Sequence, residues 1–192
     1  VPDLLESLRN KSLLHLDQPA HGEGRFRMLE TVRAYALETL QASGEGEATR
    51  RRHAAYYLRL ADQAVSGLAG PDHALGLVRL EAEHDNLRAA LRWSIDSRDT
   101  VIGLRLGGLL WRFWWRRGHL SEGRTWLVDL LAQPEAATRD CLRGEALVSA
   151  GLLALWHGDY DTARAQLEEG CAIGQEIGDS RIVAYTRTFL GR

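Results

Sequence analysis

From Leu104 to its last residues the sequence returns to itself at an interval of 40 positions. Gly118 recurs as Gly158, Leu120 as Tyr160, Gly123 as Ala163, Leu127 as Leu167, Leu130 as Gly170 and Gly151 as Gly191. A period of this length encodes a helix-turn-helix unit that cannot bury its apolar face alone and must stack on neighbours, the α-α superhelix or solenoid plan. That plan puts function on surfaces and not in an enclosed catalytic pocket. The last match falls one residue before the end, so the reading predicts a third unit cut off in its first helix, a piece of a longer protein. It also predicts an exposed face near Phe189 and Leu190.

Composition narrows the partners. With 24 basic and 26 acidic side chains and a net charge of −2, no global attraction to nucleic acid or anionic membrane is expected. Lys11 is the sole lysine, a bias towards arginine that a GC-rich genome produces as readily as chemistry does. Cys141 and Cys171 lack metal-ligand spacing and suit a reducing compartment. Arg112, Arg116 and Arg117 interrupt the most apolar stretch, leaving no run of about 18 apolar residues. The expectation is a cytoplasmic protein without a membrane partner.

Along the chain, residues 3–10 read as a short helix with Leu4, Leu5 and Leu8 on one face, and Lys11–Leu16 alternates like a strand. A Pro- and Gly-containing turn over residues 17–24 leads to a second strand, Arg25–Met28, completing a β-hairpin. Glu30–Gln41 returns to helical spacing through Val32, Tyr35, Ala36 and Leu40, with Gly44 as its stop. Helix, hairpin, helix is the back half of a winged helix, assigned to residues 1–44.

Residues 45–98 form a helical linker. One amphipathic helix runs from Glu47 to about Ser66, and Gly67-Leu68-Ala69-Gly70 ends it. Pro71 opens the next, whose pattern runs through Leu75, Val78, Leu80, Leu87 and Leu91 with a break near Glu81. Residues 99–192 hold the repeats. Asp99 or Thr100 caps a helix reaching Arg117, Ser121 the next, and Asp161 the one ending near Ile177. Between them a helix spans about Thr138–His157, and Gly178-Asp179-Ser180 starts the last. The fold class is mainly α with one hairpin.

The string Gly158-Asp159-Tyr160-Asp161, followed by Ala163, Leu167 and Gly170 and preceded by Ala150-Gly151, resembles the turn and second helix of a tetratricopeptide repeat. Glycine permits the turn, the adjacent aromatic would fill the gap between helices, and Gly151 with Ala163 would let them approach closely. In the preceding unit Trp111 replaces Gly151 and Gly123 replaces Ala163, so a large residue is predicted to face a smaller one.

A second resemblance covers residues 4 to about 132. Leu8-Arg9-Asn10-Lys11-Ser12-Leu13-Leu14, Arg25–Ala36, Arg52-His53-Ala54-Ala55-Tyr56-Tyr57 and Glu81–Leu91 look like the segment after the ATPase core in bacterial STAND-type (NB-ARC-like) regulators. In that family the core is followed by a winged helix, a helical linker and a tetratricopeptide array, and an effector domain lies elsewhere in the chain. The resemblance implies an upstream ATPase core in cis holding ATP or ADP with Mg. It also implies DNA contact only through another domain, and a homo-oligomer on activation. The family's Met-His-Asp tripeptide, whose histidine meets the β-phosphate of ADP, falls by register on Met28, Leu29 and Glu30. Leu29 cannot donate a hydrogen bond to phosphate, and Met28 and Leu29 also fit a core position beneath the hairpin.

No catalytic residues are expected, since neither a phosphate-cradling glycine loop nor a nucleophile motif occurs. Glu81, Glu83, His84 and Asp85 are residue types that ligate metals, but the stripe continues into Leu87 and reads as a packed or capping histidine. Arg50-Arg51-Arg52 reads as a solvated face. The binding candidates are Arg105, Arg112, Trp115, Arg116 and Trp156, which the tetratricopeptide register sets on the groove-lining helices with Glu145, Val148, Leu152 and Leu155. Trp111 and Trp114 are expected in the core. Such a groove suits an acidic or aromatic ligand or protein segment. The chain thus reads as a non-enzymatic sensor or autoinhibitory arm of a transcription regulator. Two alternatives stay open: a free-standing scaffold that docks proteins, and the arm of a regulator with an enzymatic effector.

Overall fold

Left-handed glycines punctuate the helical part of the chain. Gly118, Gly158 and Gly178 adopt φ of 80°, 87° and 74°, each just past a helix end. In each, the next residue's N–H reaches back to a carbonyl of the last turn: His119 to Trp114 at 2.8 Å, Asp159 to Ala154 at 3.0 Å, Asp179 to Gly174 at 2.8 Å. Only a residue without Cβ holds this geometry cheaply, so the sequence itself fixes three sharp helix stops.

The computed structural model describes residues 2–17, 24–66 and 73–191. The chain divides into two units, Val1–Thr49 and Arg50–Arg192. The first contains α1 (Pro2–Asn10), β1 (His15–Asp17), β2 (Arg25–Arg27) and α2 (Glu30–Ala42). The strands pair antiparallel, with Leu16 opposite Phe26. They are shorter than predicted. Ser12 takes φ of 57° and Leu13 N–H bonds Leu8 O, so the exit from α1 consumes residues 11–14 before the strand begins. The predicted turn at 18–23 lies outside the described residues.

This unit buries little. Leu14 is its sole buried apolar side chain among the described residues, and α2 buries none. Leu4 and Tyr35, predicted to face inwards, are 69% and 71% exposed. Periodicity identified the apolar stripe, but two short helices and a three-residue hairpin supply no second layer to cover it.

The second unit is helical. It takes in nearly all of α3 (Gly46–Ser66), then α4 (His73–Ala82) and α5 (His84–Asp96). Gly67–Gly70 and Pro71 fall outside the described residues. The predicted break lies at Glu83, whose carboxylate accepts from Tyr57 Oη at 3.1 Å and Asn86 Nδ2 at 2.7 Å, tying the break to α3. Leu80, Leu87 and Leu91 of the predicted stripe turn inwards, but Leu75 and Val78 are exposed and Leu77, outside the stripe, is buried in their place.

Then come α6 (Thr100–Arg117), α7 (Leu120–Leu131), a 3-10 turn (Pro134–Ala137), α8 (Cys141–His157), α9 (Tyr160–Ile177) and α10 (Ser180–Leu190). Asp99, Asp140, Asp159 and Asp179 cap α6, α8, α9 and α10 through their carboxylates. Ser121 and Asp161 do not cap. The glycine stops are so tight that each new helix starts two residues after the glycine, and these two already lie inside its first turn.

Successive helices pack in order, α6 on α7 and α8, α8 on α9, α9 on α10. Close approach depends on small residues. A Cβ added to Gly123 would stand 2.5 Å from Trp114 Cε3, and one on Gly151 would stand 2.8 Å from Leu167 Cγ and 3.1 Å from Ala163 O. The bulk facing Gly123 is therefore Trp114, a correction to the expectation that Trp111 would face it. Tyr160, expected to fill the inter-helix gap, is 69% exposed, because Ala163 and Gly151 already bring the helices into contact. Phe189 and Leu190 are half-buried against the core. Among the described residues no helix is long and apolar enough to cross a membrane.

Candidate functional site

One face of α6, α8 and α10, together with α3, encloses a groove of about 580 Å³. Arg105 and Arg112 reach it from α6, Glu145 and Val148 from α8, Arg181 and Tyr185 from α10, and Asp62 from α3. The helical spacing that sets Arg105 and Arg112 two turns apart puts both on this side of α6. Arg112 Nη2 donates to Tyr185 Oη at 3.3 Å, and its guanidinium lies 4.7 Å from the Trp111 ring centroid. Arg181 is held by Asp179, at 2.9 Å, and its guanidinium stays well charged beside that carboxylate. Arg105 makes no ion pair among the described residues.

The other predicted candidates stand apart. Trp111, Trp115 and Trp156 form a stacked ladder from α6 to α8, with centroids 6.3 and 5.0 Å apart. Arg116 covers Trp115 at 5.1 Å. Trp156, 48% exposed, lines a second cavity with Leu155, Tyr160, Leu167, Phe189 and Leu190. So Arg105 and Arg112 share one groove, while Trp115, Arg116 and Trp156 belong to the ladder beside it. Leu152, placed in the groove by register, is fully buried instead, because that side of α8 packs against neighbouring helices. Trp111 and Trp114 are core, as expected. Asp62, Arg181 and Tyr185 were missed, since α3 and α10 join the groove only through tertiary packing.

A polar network surrounds Glu122 on α7. Arg88 grips its carboxylate with Nε at 2.8 Å and Nη2 at 2.7 Å, Trp126 Nε1 donates at 3.2 Å, and His84 Nε2 lies 3.1 Å away. The hydrogen bond from Arg88 is the main cause that pulls the Glu122 carboxyl down to about 2. Burial pushes the His84 imidazole below its ordinary value, favouring the neutral ring. Asp85, which shares the predicted stripe, points outwards to Arg88 instead, its side chain 94% exposed.

In the winged unit, Met28 follows β2, Leu29 precedes α2, and Glu30 pairs with Arg33 at 2.9 Å. Leu29 is 54% exposed rather than core, for want of a covering layer. Residues 1–41 carry five basic and six acidic side chains, and Arg27 is bound to Asp17 at 2.6 Å.

Residues 1–41 match a family model described as a winged helix-turn-helix domain. Across 198 aligned positions and the whole of this chain, the sequence is 34% identical to mycobacterial proteins. One is from Mycobacterium bovis and another from Mycobacterium tuberculosis H37Rv, both named as candidate HTH-type transcriptional regulators. The chain spans 22% of the length of each. No solved structure matches it. The N-terminal unit is thus a winged helix-turn-helix domain, and the chain is homologous to transcriptional-regulator-like proteins.

Proposed function

We propose that this chain is the sensor and autoinhibitory arm of a STAND-type signal-transduction ATPase that regulates transcription. Its repeats, tetratricopeptide-like in plan, bind an acidic or aromatic ligand or protein segment, and the winged unit relays that event to an ATPase core elsewhere in the parent. The division into winged helix (1–44), linker (45–98) and repeats (99–192) belongs to the same reading. The chain itself binds and does not catalyse. ATP or ADP with Mg would sit in the core, in the cytoplasm, with oligomerisation on activation.

The observation that carries this reading is the Arg105–Arg112–Tyr185 groove, where a solvent-exposed guanidinium, without an ion pair among the described residues, stands beside an arginine already oriented by a tyrosine. Planar, charge-assisted donors of this kind recognise carboxylates and aromatic faces. The exposed apolar side chains of the winged unit, Leu4, Leu29 and Tyr35, support docking against another domain of a longer parent. The test is a transcription reporter driven by the full-length parent. Arg105→Ala with Arg112→Ala should abolish the response to inducing conditions while leaving the melting temperature of this chain unchanged, both positions being exposed. A preserved response sinks the reading.

A second reading, that the winged unit itself contacts DNA, is favoured by its match to the winged helix-turn-helix model. The net charge of −1 over residues 1–41 opposes it, since phosphate contacts need a basic surface. Duplex binding by this chain that weakens steeply with salt would establish it.

A further inference from the structure

We propose that Glu81, His84 and His119 form a binding site for a divalent transition-metal ion of the zinc class, joining the α4–α5 break to the α6–α7 turn. Each residue offers one ligand atom, and the three atoms lie within 4.8 Å of one another. An ion with bonds of about 2.0–2.2 Å in tetrahedral geometry spaces its donors roughly 3.3 Å apart. His119 Nε2 already stands 3.4 Å from Glu81 Oε1. The other oxygen of Glu81 faces Arg117 Nε at 3.6 Å, which leaves Oε1 as the free ligand atom.

Two features set these histidines apart from ordinary packed ones. His119 Nε2 is sealed from solvent and makes no hydrogen bond among the described residues, an arrangement that folded proteins rarely leave without a reason. His119 also departs from the chemistry of its own repeat. The two later turns carry Asp159 and Asp179 after the glycine, and each caps the following helix, whereas His119 makes no capping bond. The side chain is instead turned towards His84, with ring centroids 4.5 Å apart.

The surroundings of His84 are those of a bound imidazole. A metal-ligating histidine characteristically gives its second ring nitrogen to a carboxylate that fixes its orientation. Here Glu122 holds Nε2 at 3.1 Å and is itself held by Arg88 and Trp126, and the other ring nitrogen is the one assigned to the ion. Phe113 lies edge-on to His84 at 5.1 Å and against His119 at 5.6 Å, walling the pair off. Two imidazoles and one carboxylate select zinc, cobalt or nickel over magnesium or calcium, which prefer all-oxygen shells. Three protein ligands leave the fourth position to water.

Titration of the 192-residue chain with zinc chloride, followed by calorimetry, should give one ion per chain and a melting temperature that rises with zinc. Cobalt(II) should show the visible bands of a tetrahedral site. Glu122→Gln should weaken binding by about 10–100-fold, and Glu81→Gln and His119→Asn by at least as much. His119→Asn supplies a residue suited to the cap position, so the fold should persist, which circular dichroism checks. Asp85→Asn should bind zinc like the unaltered chain. The proposal is overturned if the unaltered chain binds zinc no more tightly than the Glu81→Gln/His119→Asn double variant, or if cobalt gives only octahedral bands.

Discussion

The α6/α7 and α8/α9 hairpins are two versions of one unit, and they differ in where each keeps its bulk. In the second, Gly151 and Ala163 bring the helices together across small side chains, and α9 runs unbroken for 18 residues. In the first, Trp114 fills the space over Gly123, at the positions that Ala154 and Ala163 hold 40 residues later. There α7 stops after 12 residues. Pro134 stands where Gly174 stands in α9, and lacking an N–H it cannot continue the ladder. Arg143 Nη1 donates to Leu131 O, the last carbonyl of α7, at 3.3 Å and to Ala136 O of the following 3-10 turn at 2.9 Å. Volume and hydrogen bonding are thus each conserved at the level of the hairpin, not of the residue.

The largest expected effect tests that exchange of volume. Trp114→Ala should cost about 3–5 kcal/mol in chemical denaturation, and Gly123→Ala alone about 1–3 kcal/mol from overpacking. The double variant, which imposes the second hairpin's alanine pair, should cost at least about 1 kcal/mol less than the sum; strict additivity would break the comparison. Next, Gly151→Val should cost about 1–3 kcal/mol, because the nearby Ala163 carbonyl is backbone and cannot swing aside. A neutral result would show that the second hairpin is not packed on its small residues.

A smaller effect separates Glu122 from Thr162, its counterpart in α9. The folded pKa of Glu122 is depressed to about 2, so its stabilisation is present above the ordinary carboxylate range and is lost as pH falls towards that value. Glu122→Gln should flatten the acid side of the stability profile by about 1 kcal/mol, discounted for partial exposure. Thr162→Val, which removes the hydrogen bond that most lowers the solvent-facing Asp159 carboxyl, should change the acid side less than Glu122→Gln does. Smallest of all, Pro134→Ala should change stability by about 0.5 kcal/mol or less while increasing far-ultraviolet helical ellipticity. No gain in ellipticity would mean that Arg143, rather than Pro134, ends α7.

Two conserved-in-place ion pairs sharpen the same comparison. Arg98–Glu135 at 3.2 Å and Arg139–Glu176 at 2.7 Å are related by a shift of 41 residues. Each starts from the residue just before a first helix's cap; Arg98 reaches the 3-10 turn that follows α7, and Arg139 reaches the end of α9. The repeat was legible in the glycines, whereas these pairs were not, since single charges carry no periodic signal. The groove was half legible. Helical spacing grouped Arg105 with Arg112, but it could not show that Tyr185 would orient Arg112 from 73 residues away. His119 escaped notice for the same reason: its sequence neighbours are a turn glycine and a leucine, and its partners lie on α4 and α5.

What the sequence by itself determined is the set of decisions made within a few residues. Glycines that tolerate positive φ, aspartates that cap, and a proline that cannot donate marked the helix ends, and the 40-residue interval marked the stacking plan. The tertiary structure alone decided which tryptophan meets which glycine, that Leu75, Val78 and Tyr160 face solvent, and that Glu81, His84 and His119 converge. Backbone preferences are local and readable in order, but packing partners are chosen between helices by shape and volume, where many pairings satisfy the same pattern and only close packing selects one.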